Sequence, residues 1–373
     1  MQPISTNALR VLRTLEENGH QAYLVGGCVR DLLLGRSVND WDITTSALPH
    51  QTQACFAKTV PTGLQHGTVT VLLEGESFEV TTFRADGAYL DGRRPEQVSF
   101  VPDLSEDLAR RDFTINAMAM DLRGEITDLF GGREDLQRGL IRCVGEAERR
   151  FSEDALRMLR AVRFSAQLNF ALEENTEEAI RRCASLCEKL SAERVRDEIE
   201  KTLLSRNPDY LARMIEWGLL TAFGLMGMPD LTVLGSVPCE RLARWAQAKH
   251  MLPELDLSAL RLEKRAVRLC SAAASLCAGM HTELDCKRII AEHGWQTAKL
   301  TAQLCGREEL VGRIEKNGDC VSLAQLALKG TDLSHLQGAA VAEALHRALD
   351  YVLRHPQEND REGLLMLLKK GEI

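Results

Sequence analysis

No apolar run in this sequence approaches the ~18 residues that a membrane-spanning helix requires, and the opening stretch MQPISTNALR lacks a charged segment followed by an apolar one. The chain reads as soluble and unexported, with no membrane partner. There is no CxxC pair among the 11 cysteines, which are odd in number and scattered from Cys28 to Cys320; Cys183 and Cys187 simply share a helical i, i+4 spacing. Neither a disulfide framework nor a zinc site is suggested, and a reducing cytoplasm fits best. Repeats of roughly 30 to 40 residues with a recurring signature are absent, as are low-complexity segments.

What is present is ordinary globular composition, 45% apolar and 27% charged over 373 residues, which excludes a disordered chain and suffices for about two to three domains. The net charge of −8 is unevenly placed: residues 1–200 carry 24 basic and 33 acidic side chains, and the remainder is nearly neutral. An acidic total does not exclude a nucleic-acid partner, because phosphate binding depends on local patches. Up to about residue 145, short β-type runs alternate with glycine turns and short helical stretches. Ala22 to Val25, Trp41 to Thr45, Thr68 to Leu73, Phe78 to Phe83 and Gln97 to Val101 read as strands; Asn7 to Glu17, Val29 to Leu34 and Phe113 to Met120 read as helices. From Glu146 onward the strand signals vanish into helical periodicity punctuated by Pro208, Pro229, Pro238 and Pro253. The fold class is α+β: a mixed-sheet N-terminal domain followed by an all-helical remainder.

The chemistry concentrates in LVGGCVRDLLLGRSVNDWDITT, Leu24 to Thr45. Gly26 and Gly27 stand between a strand and a helix start, where unhindered backbone N–H groups can cradle a triphosphate, with Arg30 one turn on as counter-charge. Alone, a glycine pair also reads as a tight turn. Strand alternation, however, points Asp40 and Asp42 to one face and Trp41 to the other. Two carboxylates side by side repel unless a cation lies between them, and hard oxygen ligands with open positions suit Mg²⁺ bridging to substrate phosphates, the arrangement of two-metal phosphoryl transfer. Glu79, alternating with apolar neighbours in Phe78-Glu79-Val80-Thr81, is the candidate third carboxylate; the other reading is an exposed glutamate on an edge strand.

Arg110-Arg111-Asp112 directly precedes the helical-looking FTINAMAM. Arg111 at a helix start would offer its planar donor fork to a triphosphate or sugar, and Asp112 would hold that arginine or cap the helix. In EDALRMLRAVRF, Glu153 to Phe164, the helical spacing makes Asp154 and Arg157 i, i+3 neighbours, with Arg160 and Arg163 continuing the step. They read either as a surface ion pair or as a base-reading pair. Cytosine and adenine present an amino donor beside an unprotonated ring nitrogen, whereas guanine and uracil present a carbonyl beside an N–H. A carboxylate beside a guanidinium therefore matches the first two and opposes the others. Farther on, Arg261, Lys264, Arg265 and Arg268 fall at i, i+3, i+4 and i+7, one basic helical face that is either solvated or RNA-binding.

Taken together, LVGGCVRD with DWD, ARRDFTINAMA, DLFGG (Asp128 to Gly132) and EDALRMLRAVRF closely resemble the class II tRNA nucleotidyltransferase and poly(A) polymerase family, and within it the CCA-adding enzymes. The resemblance implies a polymerase β-like nucleotidyltransferase head (1–145), a helical neck carrying the nucleotide-selecting helix (146–205), and a helical body (206–320) and tail (321–373) that hold tRNA. It implies metals on Asp40 and Asp42, triphosphate and ribose contacts from Gly27, Arg30 and Arg111, base selection by Asp154 and Arg157, and support from Arg160 and Arg163. The implied substrates are CTP, ATP and tRNA, the last recognised through the shape and backbone of its acceptor and T-arm. Within the family, CC-only enzymes are missing a flexible loop between the metal and RRD motifs. Here ADGAYLDGRRPEQ, Ala85 to Gln97, occupies that place, with Gly87, Gly92 and Pro95 supplying turn chemistry. The chain also lacks the basic extensions of the poly(A) polymerases and any His-Asp dipeptide of a phosphohydrolase domain. CCA addition is the expected activity, with A-only addition and poly(A) synthesis as its alternatives.

Overall fold

Ser5 accepts a hydrogen bond from the Ala8 amide and so caps helix α1 (Thr6–Glu17), whose Ala8, Val11, Leu12 and Leu15 form one buried stripe. Such a cap is worth about 1 kcal/mol, and each buried leucine or valine contributes about 1.5–3 kcal/mol. The helix packs on β1 (Ala22–Val25), which leads through Gly26 into α2 (Gly27–Leu33) and then β2 (Asp42–Thr45). The computed structural model describes residues 4–86 and 98–373. The chain divides into two compact units, Met1–Met228 and Pro229–Ile373.

The first unit contains a seven-stranded sheet. After α3 (Pro49–Cys55) come β3 (Thr59–Gly63), β4 (Thr68–Leu73) and β5 (Glu76–Thr82), then the ribbon β6 (Arg84–Asp86) and β7 (Val98–Phe100). Next are α4 (Leu104–Ala109), β8 (Met118–Met120), β9 (Ile126–Asp128) and α5 (Gly132–Arg138). The strand order is β3-β4-β5-β2-β1-β8-β9, with β2 and β5 parallel and the other pairs antiparallel. Strand β3 takes an edge, where Pro61 costs no ladder bond; its proline also hid it in the sequence.

The expected helix over Phe113 to Met120 is a correction. Thr114–Asn116 make a single 3-10 turn, and Met118–Met120 form β8, pairing with β1 and β9. Every residue from Phe113 to Met120 is buried. A wholly buried short apolar run has no polar face to reveal its period, and two available strand partners overrode the helix propensity of Ala and Met. Gly132 explains how closely this segment is packed: a Cβ there would lie 2.3 Å from the Thr114 carbonyl oxygen.

Helices α6 (Ala147–Glu153), α7 (Leu156–Leu168), α8 (Glu174–Cys183), α9 (Ala192–Leu203) and α10 (Leu211–Glu216) complete the unit. One exception interrupts the expected all-helical character, a two-residue parallel pairing of Leu140–Ile141 with Ala171–Leu172. The second unit contains α11 (Arg241–Met251), α12 (Lys264–Leu276), α13 (Glu283–His293), α14 (Trp295–Cys305), α15 (Glu308–Asn317), α16 (Ala339–Arg354) and α17 (Arg361–Lys370), with longer connections over 252–263 and 318–338. An apolar core running from Met280 to Leu364 crosses the expected body–tail border at residue 320. Regular helices of alternating burial give no sign of which neighbours share a core, so that border was not readable. The 11 cysteines are free thiols. Among the described residues, no helix is long and apolar enough to cross a membrane.

Candidate active site

Trp41 is 9% exposed while Asp40 is exposed and Asp42 half-buried, the alternation expected of a strand entrance. Gly26 adopts φ +74°, and a Cβ on it would lie 3.1 Å from Arg111 Nη1 and 3.8 Å from Asp42 Oδ2. The glycine turn, the RRD arginine and the DWD carboxylate therefore converge, and only glycine combines that backbone with that approach. Parallel pairing sets Asp42 directly beside Glu79 on β5. Glu79 itself is exposed.

Burial, then the Glu79 carboxylate, push the Asp42 carboxyl above its ordinary range; Arg111 opposes them and Asp40 adds to the repulsion. The site thus concentrates negative charge that Arg111 does not fully compensate, and a divalent cation on Asp40 and Asp42 would relieve it. Among the described residues no three or more His, Cys, Asp or Glu side chains form a complete metal cage. The donor set fits an ion that keeps positions open for substrate oxygens and water, and Glu79 acts on Asp42 through charge.

Arg111 does not begin a helix. It follows the C-terminal end of α4, and its Nη2 donates to Asp107 Oδ2 at 3.1 Å. Asp107 is fully buried and also takes Arg110 through Nε at 2.9 Å and Nη2 at 2.8 Å, with the Thr44 hydroxyl at 3.2 Å. Burial opposes its charge, but the two arginines outweigh burial and hold the carboxyl below its ordinary range. Arg111 Nε is buried without a hydrogen-bond partner, a donor held beside the glycine turn. Sequence reading passed over Asp107, although its i, i+3 and i, i+4 spacing to Arg110 and Arg111 was a signal.

Asp112 holds Arg160 rather than Arg111. Its Oδ2 accepts from Arg160 Nε at 2.8 Å and Nη2 at 2.6 Å, and its Oδ1 accepts from the Phe113 amide and from Asn116 Nδ2 at 3.1 Å. Burial works against this carboxylate too, but Arg160 and Asn116 keep it well below the usual range. Asn116 also accepts from Arg30 Nη1 at 2.7 Å, while Arg30 Nε and Nη2 engage Asp31. A Cβ on Gly27 would stand 3.6 Å from Arg30 Nη2. Asn116 therefore links Arg30 on α2, through Asp112, to Arg160 on α7, a role no local pattern announced.

The expected Asp154–Arg157 pair on one helix is the second correction. Asp154 is extended at φ −146°, ψ 104°, and separates α6 from α7. Its Oδ1 accepts from the Leu156 amide at 3.1 Å and its Oδ2 from Arg194 Nη2 on α9 at 2.7 Å. Arg157 Nη1 instead meets Glu153 Oε2 at 2.8 Å and the Arg150 carbonyl at 3.0 Å, while Nη2 donates to the Arg110 carbonyl at 3.2 Å. In this extended conformation the Asp154 side chain bonds a backbone amide two residues on, and the residue lies outside α7, so the ideal i, i+3 geometry is not formed. Arg163 is 6% exposed and paired with Glu198. Its guanidinium lies 3.8 Å from the Phe164 ring centroid, with Arg30 at 5.2 Å and Arg160 at 5.3 Å from the same ring. Arg194 and Glu198 were missed because their partners lie 40 and 35 residues away.

In the second unit, Lys264, Arg265 and Arg268 are exposed on α12, but Arg261 precedes the helix at φ +58° and is not part of its face. The turn before Lys264 interrupts the assumed continuous spacing. Gly87, Gly92 and Pro95 lie outside the described residues; the flanking β6 and β7 pair antiparallel.

The Poly A polymerase head domain matches residues 22–142, and the probable RNA and SrmB-binding site of polymerase A matches residues 169–226. The CCA-adding enzyme of Lactobacillus helveticus is 60% identical over 194 residues, 52% of this chain and 49% of that protein. That of Geobacillus stearothermophilus is 56% identical over 203 residues, 54% and 50% respectively. The match thus spans about half the length of these curated relatives. The solved structure of Bacillus stearothermophilus CCA-adding enzyme in complex with CTP is 37% identical, covers 100% of this chain and 98% of that one, and has a TM-score of 0.86. The chain belongs to the CCA-adding enzyme family. The fold is shared more distantly with the Thermotoga maritima CCA-adding enzyme complexed with tRNA, at 20% identity and a TM-score of 0.67. Within this CCA-adding family member, Asp40, Asp42, Glu79 and Arg111 fall inside the head match, whereas Asp154 to Arg163 lie in the interval between the two matches.

Proposed function

We propose that this chain adds C, C and A to the 3′ end of tRNA without a template, using CTP and ATP and releasing pyrophosphate, in the cytoplasm. The observation that carries the reading is the convergence of Gly26, Arg111 and Asp42, with Asp40 and Glu79 around the same carboxylate. A nucleoside triphosphate has its phosphates on the Gly26–Gly27 turn, where Arg30 and Arg111 offset their charge. Asp40 and Asp42 hold Mg²⁺, which when bound lowers the pKa of the attacking hydroxyl and offsets the charge of the leaving pyrophosphate. Asp154 accepts the exocyclic amine of C or A and Arg157 donates to the adjacent ring nitrogen, while Arg160 and Arg163 brace that end of the site. The domain roles follow: catalytic head 1–145, nucleotide-selecting neck 146–205, and a tRNA-holding helical remainder, 206–373, with Lys264, Arg265 and Arg268 among the phosphate contacts.

The test is incubation of the purified protein with Mg²⁺ and each labelled nucleoside triphosphate on transcripts of one tRNA ending before CCA, after the first C, and after CC. Ordered addition of C, C and A followed by arrest is the expected outcome. Addition of A to the CC-ended transcript alone would make the chain an A-adding enzyme, and long A tails on unrelated RNA would make it a poly(A) polymerase.

A further inference from the structure

Beside the nucleotide site, a polar cavity of about 280 Å³ opens between the α2–β2 loop and the C-terminal ends of α7 and α9. Arg30 forms part of its wall, and Arg36 and Arg206 stand on it from the two loops. Both of the latter are exposed, and neither guanidinium has a hydrogen-bond or ion-pair partner among the described residues. Its carboxylate, Asp31, is already engaged by Arg30 through both oxygens. Gln167 is held through its oxygen by Arg163 at 2.8 Å, which leaves its amide NH₂ as donor, and Ser205 accepts from the Asn207 amide and keeps its hydroxyl proton. The free groups on this surface are therefore rich in donors and carry two uncompensated positive charges.

The position of the cavity names its ligand. Along α7, Arg157 stands at the base-reading end, Phe164 packs against Arg30 at the phosphate side, and Gln167 reaches the cavity, about 15 Å from Arg157 at 1.5 Å per residue. The order along the helix is base, triphosphate, cavity. In-line transfer places the attacking hydroxyl and the leaving group on opposite sides of the reacting phosphorus, so space beyond the triphosphate belongs to the leaving group. Resting on the nucleotidyl-transfer reading, we propose that this cavity is a release site for inorganic pyrophosphate, in which Arg36 and Arg206 take over the anion as it leaves Arg30.

The full chain and its Arg36→Gln, Arg206→Gln and double variants are compared in two assays: pyrophosphate-driven removal of the terminal nucleotide from tRNA, and inhibition of forward transfer by added pyrophosphate. Each single variant is expected to raise the KM and the inhibition constant for pyrophosphate about tenfold, the usual worth of one charge-assisted hydrogen bond, with the KM for CTP within about twofold of wild type. Arg206→Lys, which keeps the charge, is expected to recover most of the loss. Unchanged pyrophosphate constants overturn the proposal. So does a parallel rise in the KM for CTP, which would place both arginines on the triphosphate, or a loss of tRNA affinity alone, which would make this an RNA phosphate contact. Calorimetric binding of pyrophosphate to the wild type and the double variant, without nucleotide or RNA, separates the two readings. If the wild type transfers nothing yet the variants lose pyrophosphate binding, the nucleotidyl-transfer reading fails and the anion site stands.

Discussion

Asp107 and Asp112 are carboxylates that would be costly to bury alone, since an unpaired buried charge is destabilising by several kcal/mol. Each is kept ionised by arginines of the site: Arg110 and Arg111 for one, Arg160 for the other. Because the folded-state pKa of Asp112 lies below its unfolded value, its contribution is complete above the ordinary carboxylate range and is lost only as pH falls through the lower folded value. Asp112→Asn is therefore expected to lower stability by ~3 kcal/mol, equally at all pH values from about 5 to 8, with the difference from wild type closing only in strong acid; urea titrations at several pH values measure it. At Asp40 the expected effect is on chemistry. Asp40→Ala should abolish transfer while leaving tRNA affinity intact, and turnover in that variant would remove the metal assignment. The pairing of Asp40 with Asp42 on either side of a buried Trp41 was legible in sequence because a strand's two-residue alternation is local. Asp107 and Asn116 were not, because their importance comes from which arginines they hold.

Helices α6 and α7 behave differently as elements than their sequence suggests. EDALRMLRAVRF reads as one helix, yet an extended Asp154 breaks it, accepting from the Leu156 amide and engaging Arg194 from α9. Asp154 is thus oriented by a residue 40 positions away. Asp154→Ala should erode the choice among the four nucleotides. Arg194→Ala should reproduce a milder form of that loss, about tenfold in the ratio of kcat/KM for CTP to that for UTP, with kcat for CTP less affected. Unchanged selectivity in both variants would sink the base-reading assignment. The strand β8 carries the same lesson. FTINAMAM offers helix-forming residues, but complete burial between β1 and β9 decides in favour of the sheet. Gly132→Ala, which would drive a Cβ to 2.3 Å from the Thr114 carbonyl oxygen, should lower the melting temperature by forcing α5 off this segment.

At the scale of the whole molecule, the net charge is −8, so the proposed binding of tRNA has to rest on local positive surfaces. Replacing Lys264, Arg265 and Arg268 together with glutamine should weaken tRNA binding and flatten its dependence on salt by roughly one unit of slope per phosphate contact removed; an unchanged slope would return α12 to the solvated surface. The sequence alone determined the broad division into a mixed-sheet domain and a helical remainder, the glycine turn, the paired aspartates and the arginine motifs. These rest on periodicity, backbone sterics and charge spacing, which act over a few residues. Only the tertiary structure decided that Met118–Met120 is a strand, that one core crosses residue 320, and that Asp112 holds Arg160 while Asp154 holds Arg194. The physical reason is that burial and ion pairing select partners by proximity in space, and local sequence carries no record of which distant charge will arrive.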